Sequence, residues 1–384
     1  MNLFAKLLGR MRTPGAAATR PNPEASMDIA GTIDRALTAA GLTQRAGAGA
    51  DVRATIDHAL AQAGLASPLT TADGAVATPP AQTGSRASIA AVPAPATTRG
   101  DWISRSFRND AGTLGYKLYV PARHATGGGT QVPLVVMLHG CTQSPDDFAA
   151  GTRMNELADA HGFLVAYPAQ TARANGSKCW NWFRADDQAH GHGEPALIAG
   201  IARQVATDYR IDPRRVFVAG LSAGAAMAVI LGHTYPDVFA AIGAHSGLPF
   251  AAAHDVASAF TAMKAGPAGA RTPLDGTTPV PTIVFHGDAD HTVAAGNGRA
   301  IVGDATAGAM QHTTHSGVAP GGRAYTQEVF ADAAGRPRVE LWTLHGAGHA
   351  WSGGSAQGTY TDPSGPDASA EMLRFFLQLP AAVH

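Results

Sequence analysis

Val216-Phe217-Val218-Ala219-Gly220-Leu221-Ser222-Ala223-Gly224-Ala225-Ala226-Met227-Ala228-Val229-Ile230-Leu231-Gly232 is the longest apolar stretch in the chain. Ser222 and the interior glycines make it a poor membrane span, and it divides better into three pieces. Residues 215–219 read as a strand, whose Val216-Phe217-Val218-Ala219 leads directly into the turn. Gly220-Leu221-Ser222-Ala223-Gly224 fits G-x-S-x-G, a sharp strand-to-helix turn whose flanking positions must be glycine-small. Residues 223–235 then continue as a helix of small residues. Taken alone the five-residue pattern is weak, and its bland reading is a turn with no chemistry. The strand before it and the helix after it give it weight, and they place Ser222 at the C-terminal edge of a sheet.

The rest of the main segment repeats this alternation. Residues 133–138 and 163–167 are further buried-strand runs, and 239–244, 281–285 and 338–344 add others. Residues 102–107 and 115–120 read as two antiparallel edge strands. Helical spacing covers 154–161, 194–209 and 369–379, with Pro195 near the first turn of its helix. Strands alternating with helices imply an α/β fold around a mostly parallel sheet with right-handed crossovers. Residues 250–278 show no clean period and read as a cap or a long surface loop. Residues 313–322 read as loop.

Composition narrows the function classes. The chain has 384 residues, with 28 Lys+Arg against 29 Asp+Glu. Balanced charge leaves no electrostatic footprint for nucleic acid. Of the 25 Phe, Trp and Tyr residues, only Phe4 precedes residue 101. A hundred residues without core aromatics seldom build a sizeable core. The expected organisation is therefore 1–72 as an N-terminal region, 73–99 as an Ala/Pro/Thr-rich linker and 100–384 as the main domain.

Within the N-terminal region, residues 1–12 place Leu3, Phe4, Leu7, Leu8 and Met11 on one helical face beside Lys6, Arg10 and Arg12. This segment is too short and too polar for a Sec signal peptide. It reads either as a weakly docked terminus or as an interfacial helix touching a surface or granule. Residues 32–42 are echoed by 55–65 at an offset of 23. Each copy carries a short amphipathic stripe that ends in a C-cap glycine, Gly41 or Gly64. The region is thus expected to be helical and partly disordered.

Ser222 needs a base, because an alcohol is a poor nucleophile at neutral pH. With 16 histidines in the chain, position must decide. Residues 286–293, His-Gly-Asp-Ala-Asp-His-Thr-Val, follow a strand and offer Asp288 and Asp290. Asp290 lies further out, with room to turn towards a histidine, whereas Asp288 is placed to hold the turn. Residues 344–351 offer His345, almost still on its strand, and His349, beyond two glycines. The preferred set is Ser222 as nucleophile, His349 as base and Asp290 as the group that orients the base. The tetrahedral oxygen needs N–H donors, and the expected ones are Ala223 and Cys141. His139 is expected to buttress the second donor's loop. His190 and His192 with Glu194 read as a solvated loop or, less plainly, a chelating set. The chemistry needs only water, so no cofactor and no metal is implied. Cys141 and Cys179 are too few for a disulfide scaffold, and spacing alone leaves a single bridge and two buried thiols equally open.

These motifs together resemble the polyhydroxyalkanoate (PHB) depolymerase family of esterases, in the α/β-hydrolase superfamily, with feruloyl and acetylxylan esterases as relatives. The residues that carry the resemblance are His139-Gly140-Cys141, Cys179-Trp180-Asn181-Trp182-Phe183, Gly220-Leu221-Ser222-Ala223-Gly224, His286-Gly287 with Asp290, and Gly348-His349-Ala350-Trp351. The resemblance implies the same Ser222–Asp290–His349 triad and a Cys141–Cys179 disulfide. Trp180, Trp182 and Trp351 then line a substrate cleft or serve as core aromatics. It further implies hydrolysis of poly(3-hydroxybutyrate)-type polyester or its oligomers through an acyl-enzyme. The alternatives are a feruloyl or acetyl esterase acting on plant polysaccharide and, in another class, a non-catalytic protein that binds a granule or membrane. The family implies an extracellular location, whereas the unreadable signal peptide leaves the cytoplasm as the alternative. The sequence sets no oligomeric state.

Overall fold

The computed structural model describes residues 100–125, 131–266, 279–306 and 309–379. The expected amphipathic segment 1–12, the helical repeat and the linker 73–99 all lie outside the described residues.

A ten-stranded sheet organises the domain. Its strands are β1 (Asp101–Asn109), β2 (Gly112–Val120), β3 (Val132–Leu138), β4 (Leu164–Ala169), β5 (Ile211–Leu221), β6 (Ala241–His245), β7 (Thr282–Gly287), β8 (Gln311–Val318), β9 (Ala324–Ala331) and β10 (Pro337–Leu344). They lie in the order β1-β2-β4-β3-β5-β6-β7-β10-β9-β8. The central run from β4 to β10 is parallel throughout. The hairpin β1–β2 on one side and β9–β8 on the other are antiparallel. A small parallel pair, β11 (Trp351–Ser352) with β12 (Thr361–Asp362), stands apart.

Helices cover both faces, so the central strands carry apolar side chains on both sides. Leu134, Val136 and Leu138 of β3 enter one core together with α3 (Gly193–Asp208) and α4 (Ala223–Thr234). Val135 and Met137 enter the other, under α1 (Pro145–Thr152), α2 (Met154–His161) and α7 (Ala368–Gln378). Because β3, β5, β7 and β10 run parallel, the loops that follow them all emerge at the same edge of the sheet.

Three expectations change. The segment 115–120 belongs to β2, which is interior and pairs with both β1 and β4 rather than forming an edge. Residues 313–322, expected as loop, belong mostly to strand β8 and the turn into β9. Nearly every residue of β8 is exposed on this outermost strand, so no apolar alternation marks it. The segment 250–278 contains a helix, α5 (Val256–Ala265), of which only Ala259 and Ala262 are buried. Its signal is local: the Asp255 carboxylate accepts the Ser258 N–H at 2.7 Å, and Ser258 Oγ accepts the Asp255 N–H at 3.0 Å. A further helix, α6 (Gly296–Ala305), follows β7.

Candidate active site

The turn after β5 has the strain that its sequence implies. Ser222 sits at φ 58° and ψ −120°, a region costly for any residue with a Cβ. Its N–H donates to the His245 carbonyl at 2.9 Å. The flanking glycines are required by contact. A methyl at Gly224 would overlap the carbonyl oxygens of Leu138 and His139, and one at Gly220 would lie 2.7 Å from the Leu138 oxygen. This backbone-on-backbone approach brings the start of α4 against the loop that leaves β3. Ser222 is partly buried, and among the described residues no hydrogen bond engages its hydroxyl.

The β3 loop leaves one amide unclaimed. The Gly140 N–H donates to Gln143 Oε1 at 2.9 Å, and the Thr142 N–H donates to the Ser177 carbonyl at 2.7 Å. Between them, the Cys141 N–H has no acceptor among the described residues, and neither does the Ala223 N–H at the first turn of α4. Gln143 is fixed in turn, since its amide donates to Asp147 at 2.8 Å and to the Thr359 carbonyl at 3.1 Å. His139 lies beneath the loop. Its Nε2 accepts the Gln170 N–H at 3.2 Å, so Nδ1 carries the proton that bonds the Gly140 oxygen at 2.7 Å. Burial pushes the His139 pKa down to about 4.

A disulfide joins Cys141 to Cys179 across 38 residues. It ties the β3 loop to the segment 179–182, which a buried carboxylate also holds. Glu194 accepts from the Asn181 N–H at 2.7 Å, from Asn181 Nδ2 at 2.6 Å and from Gln170 Nε2. Glu194 therefore points inward, away from any set with His190 and His192. His190 instead stacks on Tyr235 with ring centroids 4.5 Å apart. Among the described residues no cluster of three or more His, Cys, Asp or Glu side chains is arranged to hold a metal ion.

The acid and base loops follow β7 and β10, which are neighbours. Gly287 packs directly on the Ala347 backbone, where a Cβ would not fit. The Asp288 N–H donates to the Leu344 carbonyl and the Ala289 N–H to the Ala347 carbonyl, each at 3.1 Å. Across this junction Asp290 Oδ2 accepts from His349 Nδ1 at 2.7 Å. Asp290 Oδ1 accepts the Thr292 and Val293 N–H groups, both at 2.9 Å. Burial alone would raise the Asp290 carboxyl. The hydrogen bond and positive charge of His349, with the Val293 N–H, outweigh it and hold the pKa near the bottom of the range, at about 2. With Nδ1 donating, His349 Nε2 is left as an acceptor. Asp288 makes a different pair: its carboxylate accepts from His345 Nδ1 at 2.9 Å and from the Gly346 N–H at 2.6 Å. The buried His286 donates through Nε2 to the Val293 carbonyl at 2.9 Å, steadying the same loop.

The three tryptophans are buried. Trp180 is 0% exposed, Trp351 1% and Trp182 6%. Trp180 Nε1 donates to the His139 carbonyl at 3.0 Å, and Trp351 Nε1 to Ser369 Oγ at 3.1 Å. An indole whose N–H finds an internal acceptor can be buried whole, as Trp180 and Trp351 are, in keeping with the core reading. The sequence reading missed Gln143 and His245 and set Glu194 in a solvated or chelating loop, whereas the side chains of all three support these loops. Gln143 lies two residues beyond the His139-Gly140-Cys141 motif, whereas His245 has no local signal.

Residues 114–309, about half of the chain, match the family model described as Esterase PHB depolymerase. The chain is 36% identical over 276 residues to poly(3-hydroxyalkanoate) depolymerase C of Paucimonas lemoignei, covering 67% of this chain and 61% of that protein. It is 30% identical over 278 residues to a poly(3-hydroxybutyrate) depolymerase of Ralstonia pickettii, covering 66% and 54%. The matches thus span little more than half the length of these relatives. Among solved structures, an acetyl xylan esterase from Aspergillus awamori superposes with a TM-score of 0.56 at 20% identity, over 73% of this chain and 100% of that one. That likeness shows the α/β fold, and the family-model match runs from β2 past the elbow and the acid loop. By the extent of that match, the chain belongs to the Esterase PHB depolymerase family.

Proposed function

We propose that this protein is a serine carboxylic-ester hydrolase that cleaves poly(3-hydroxybutyrate)-type polyester or its oligomers. The observation that carries the reading is the 2.7 Å bond between Asp290 and His349, on loops at the same sheet edge as the Ser222 elbow. Ser222 Oγ attacks the ester carbonyl while His349 Nε2 takes its proton, and Asp290 holds the imidazole and stabilises its charged form. The tetrahedral oxygen accepts from the Cys141 and Ala223 N–H groups, which have no other acceptor among the described residues. Collapse expels the alcohol with the proton from His349 and leaves an acyl-Ser222. Water, activated by the same histidine, then releases the acid. The polyester preference is supported by what the two depolymerase relatives are named for.

The disulfide supports an oxidising, extracellular setting. Among the described residues no helix is long and apolar enough to cross a membrane. The amphipathic pattern of residues 1–12 supports contact with a polymer or granule surface.

The test is hydrolysis of p-nitrophenyl butyrate and of hydroxybutyrate oligomers by the protein and by Ser222→Ala. The variant is expected to lose at least about 10³-fold in kcat while staying folded. Equal rates from the two proteins would sink the reading and favour a binding role.

A further inference from the structure

His245, the last residue of β6, is fully buried and has no part in the proposed chemistry. Its register partners are Leu221, which precedes the nucleophile, and Phe285, which leads towards the acid loop. Its carbonyl accepts the Ser222 N–H at 2.9 Å. Its ring Nε2 accepts the Ser352 N–H at 3.0 Å, three residues beyond His349. The ring stacks on Phe285 at 5.8 Å on one hand and on Trp351 at 5.2 Å on the other. One residue therefore touches the elbow, the acid strand and the base loop.

We infer that His245 is a positioning residue that fixes the base loop to the nucleophile elbow. The inference rests on the esterase reading and deepens it. No hydrogen bond joins Ser222 Oγ to His349 among the described residues, so their separation is set by what holds each loop. The His245 carbonyl holds one and its imidazole holds the other. The ring must be neutral with Nε2 bare to accept from Ser352, which leaves Nδ1–H facing Ser246 Oγ at 3.2 Å. Burial, with the neighbouring imidazoles of His286 and His349, keeps it so by pushing its pKa down to about 3. The Ser352 N–H lies outside the β11–β12 ladder, whose backbone bonds run from Trp351 N to Tyr360 O and from Gly353 N to Asp362 O. The imidazole is thus the acceptor for the one amide of that stretch that points back towards the sheet.

The test compares His245→Phe, which keeps the stacking and loses the acceptor, with the wild type. Expected are a fall in kcat of roughly 10- to 100-fold with KM within about twofold, as small misplacement of reacting groups produces. The downfield proton resonance of the His349–Asp290 hydrogen bond is expected to shift or broaden. His245→Gln, which offers an amide oxygen, should recover turnover relative to His245→Met, of similar length without that acceptor. This pair also carries the test if the Phe variant fails to fold. A folded Phe variant with wild-type kcat, an unmoved resonance, or equal kcat for Gln and Met would each overturn the inference. A wild type with no Ser222-dependent turnover would instead refute the esterase reading, and the resonance comparison would still decide whether His245 sets the base loop.

Discussion

Glu194 is a carboxylate held where water hardly reaches. Burial raises its pKa, the neighbouring Asp187 charge adds to this, and the bonds from Asn181 and Gln170 only partly offset them, so it rests at about 7. A folded pKa above the unfolded one means that the native state holds the proton more tightly. Its favourable contribution is complete below about pH 4.5 and is lost as pH climbs through 7. Glu194→Gln removes the titration but also two acceptor lone-pair sites. The variant should therefore be less stable than wild type at pH 5, with the gap narrowing towards pH 8. Denaturation midpoints across that range would show it, and a constant gap would refute it. At this scale the sequence was most legible where chemistry fixes spacing. Asp290 and His349 stand beyond their strand ends, with room to meet, and Asp288 and His345 pair with each other instead. The tryptophans were less legible, because an aromatic residue beside a motif looks the same in a core as in a cleft. His245 was silent for another reason: its meaning lies in Ser352, 107 positions away.

Among elements, the buried parallel strands announced themselves through unbroken apolar runs, and the elbow through its glycines. The β8–β9 hairpin and α5 did not, since exposed elements carry no burial pattern to read. The β3 loop shows how the site depends on ties between elements. The disulfide closes a loop of 38 residues from Cys141 to Cys179, worth about 3–4 kcal/mol on a chain-entropy account. The Cys141→Ser/Cys179→Ser double variant should lose stability of that order in denaturant unfolding. It should also lose kcat, because the Cys141 amide would no longer be held from both sides. A variant matching wild type in midpoint and turnover would show that Gln143 and His139 hold the loop unaided.

For the molecule as a whole, the first strand among the described residues starts at Asp101, and only Phe4 of the aromatic residues precedes it. We propose that residues 100–384 fold and act on esters without the preceding region. A protein lacking residues 1–99 should unfold cooperatively and retain turnover, whereas aggregation of that species would show that the repeat helices complete its core. Order also rests on the places where main chain meets main chain, and among the described residues the elbow is the tightest of these. Every single-base change in a glycine codon that replaces glycine by another amino acid introduces a Cβ. At Gly220 and Gly224 that atom would strike Leu138 or His139. These two positions thus have no tolerated one-step neighbour in the genetic code. Descendants of this gene can drift around them, along exposed rims and loops, but each lineage that keeps the enzyme must inherit both glycines unchanged.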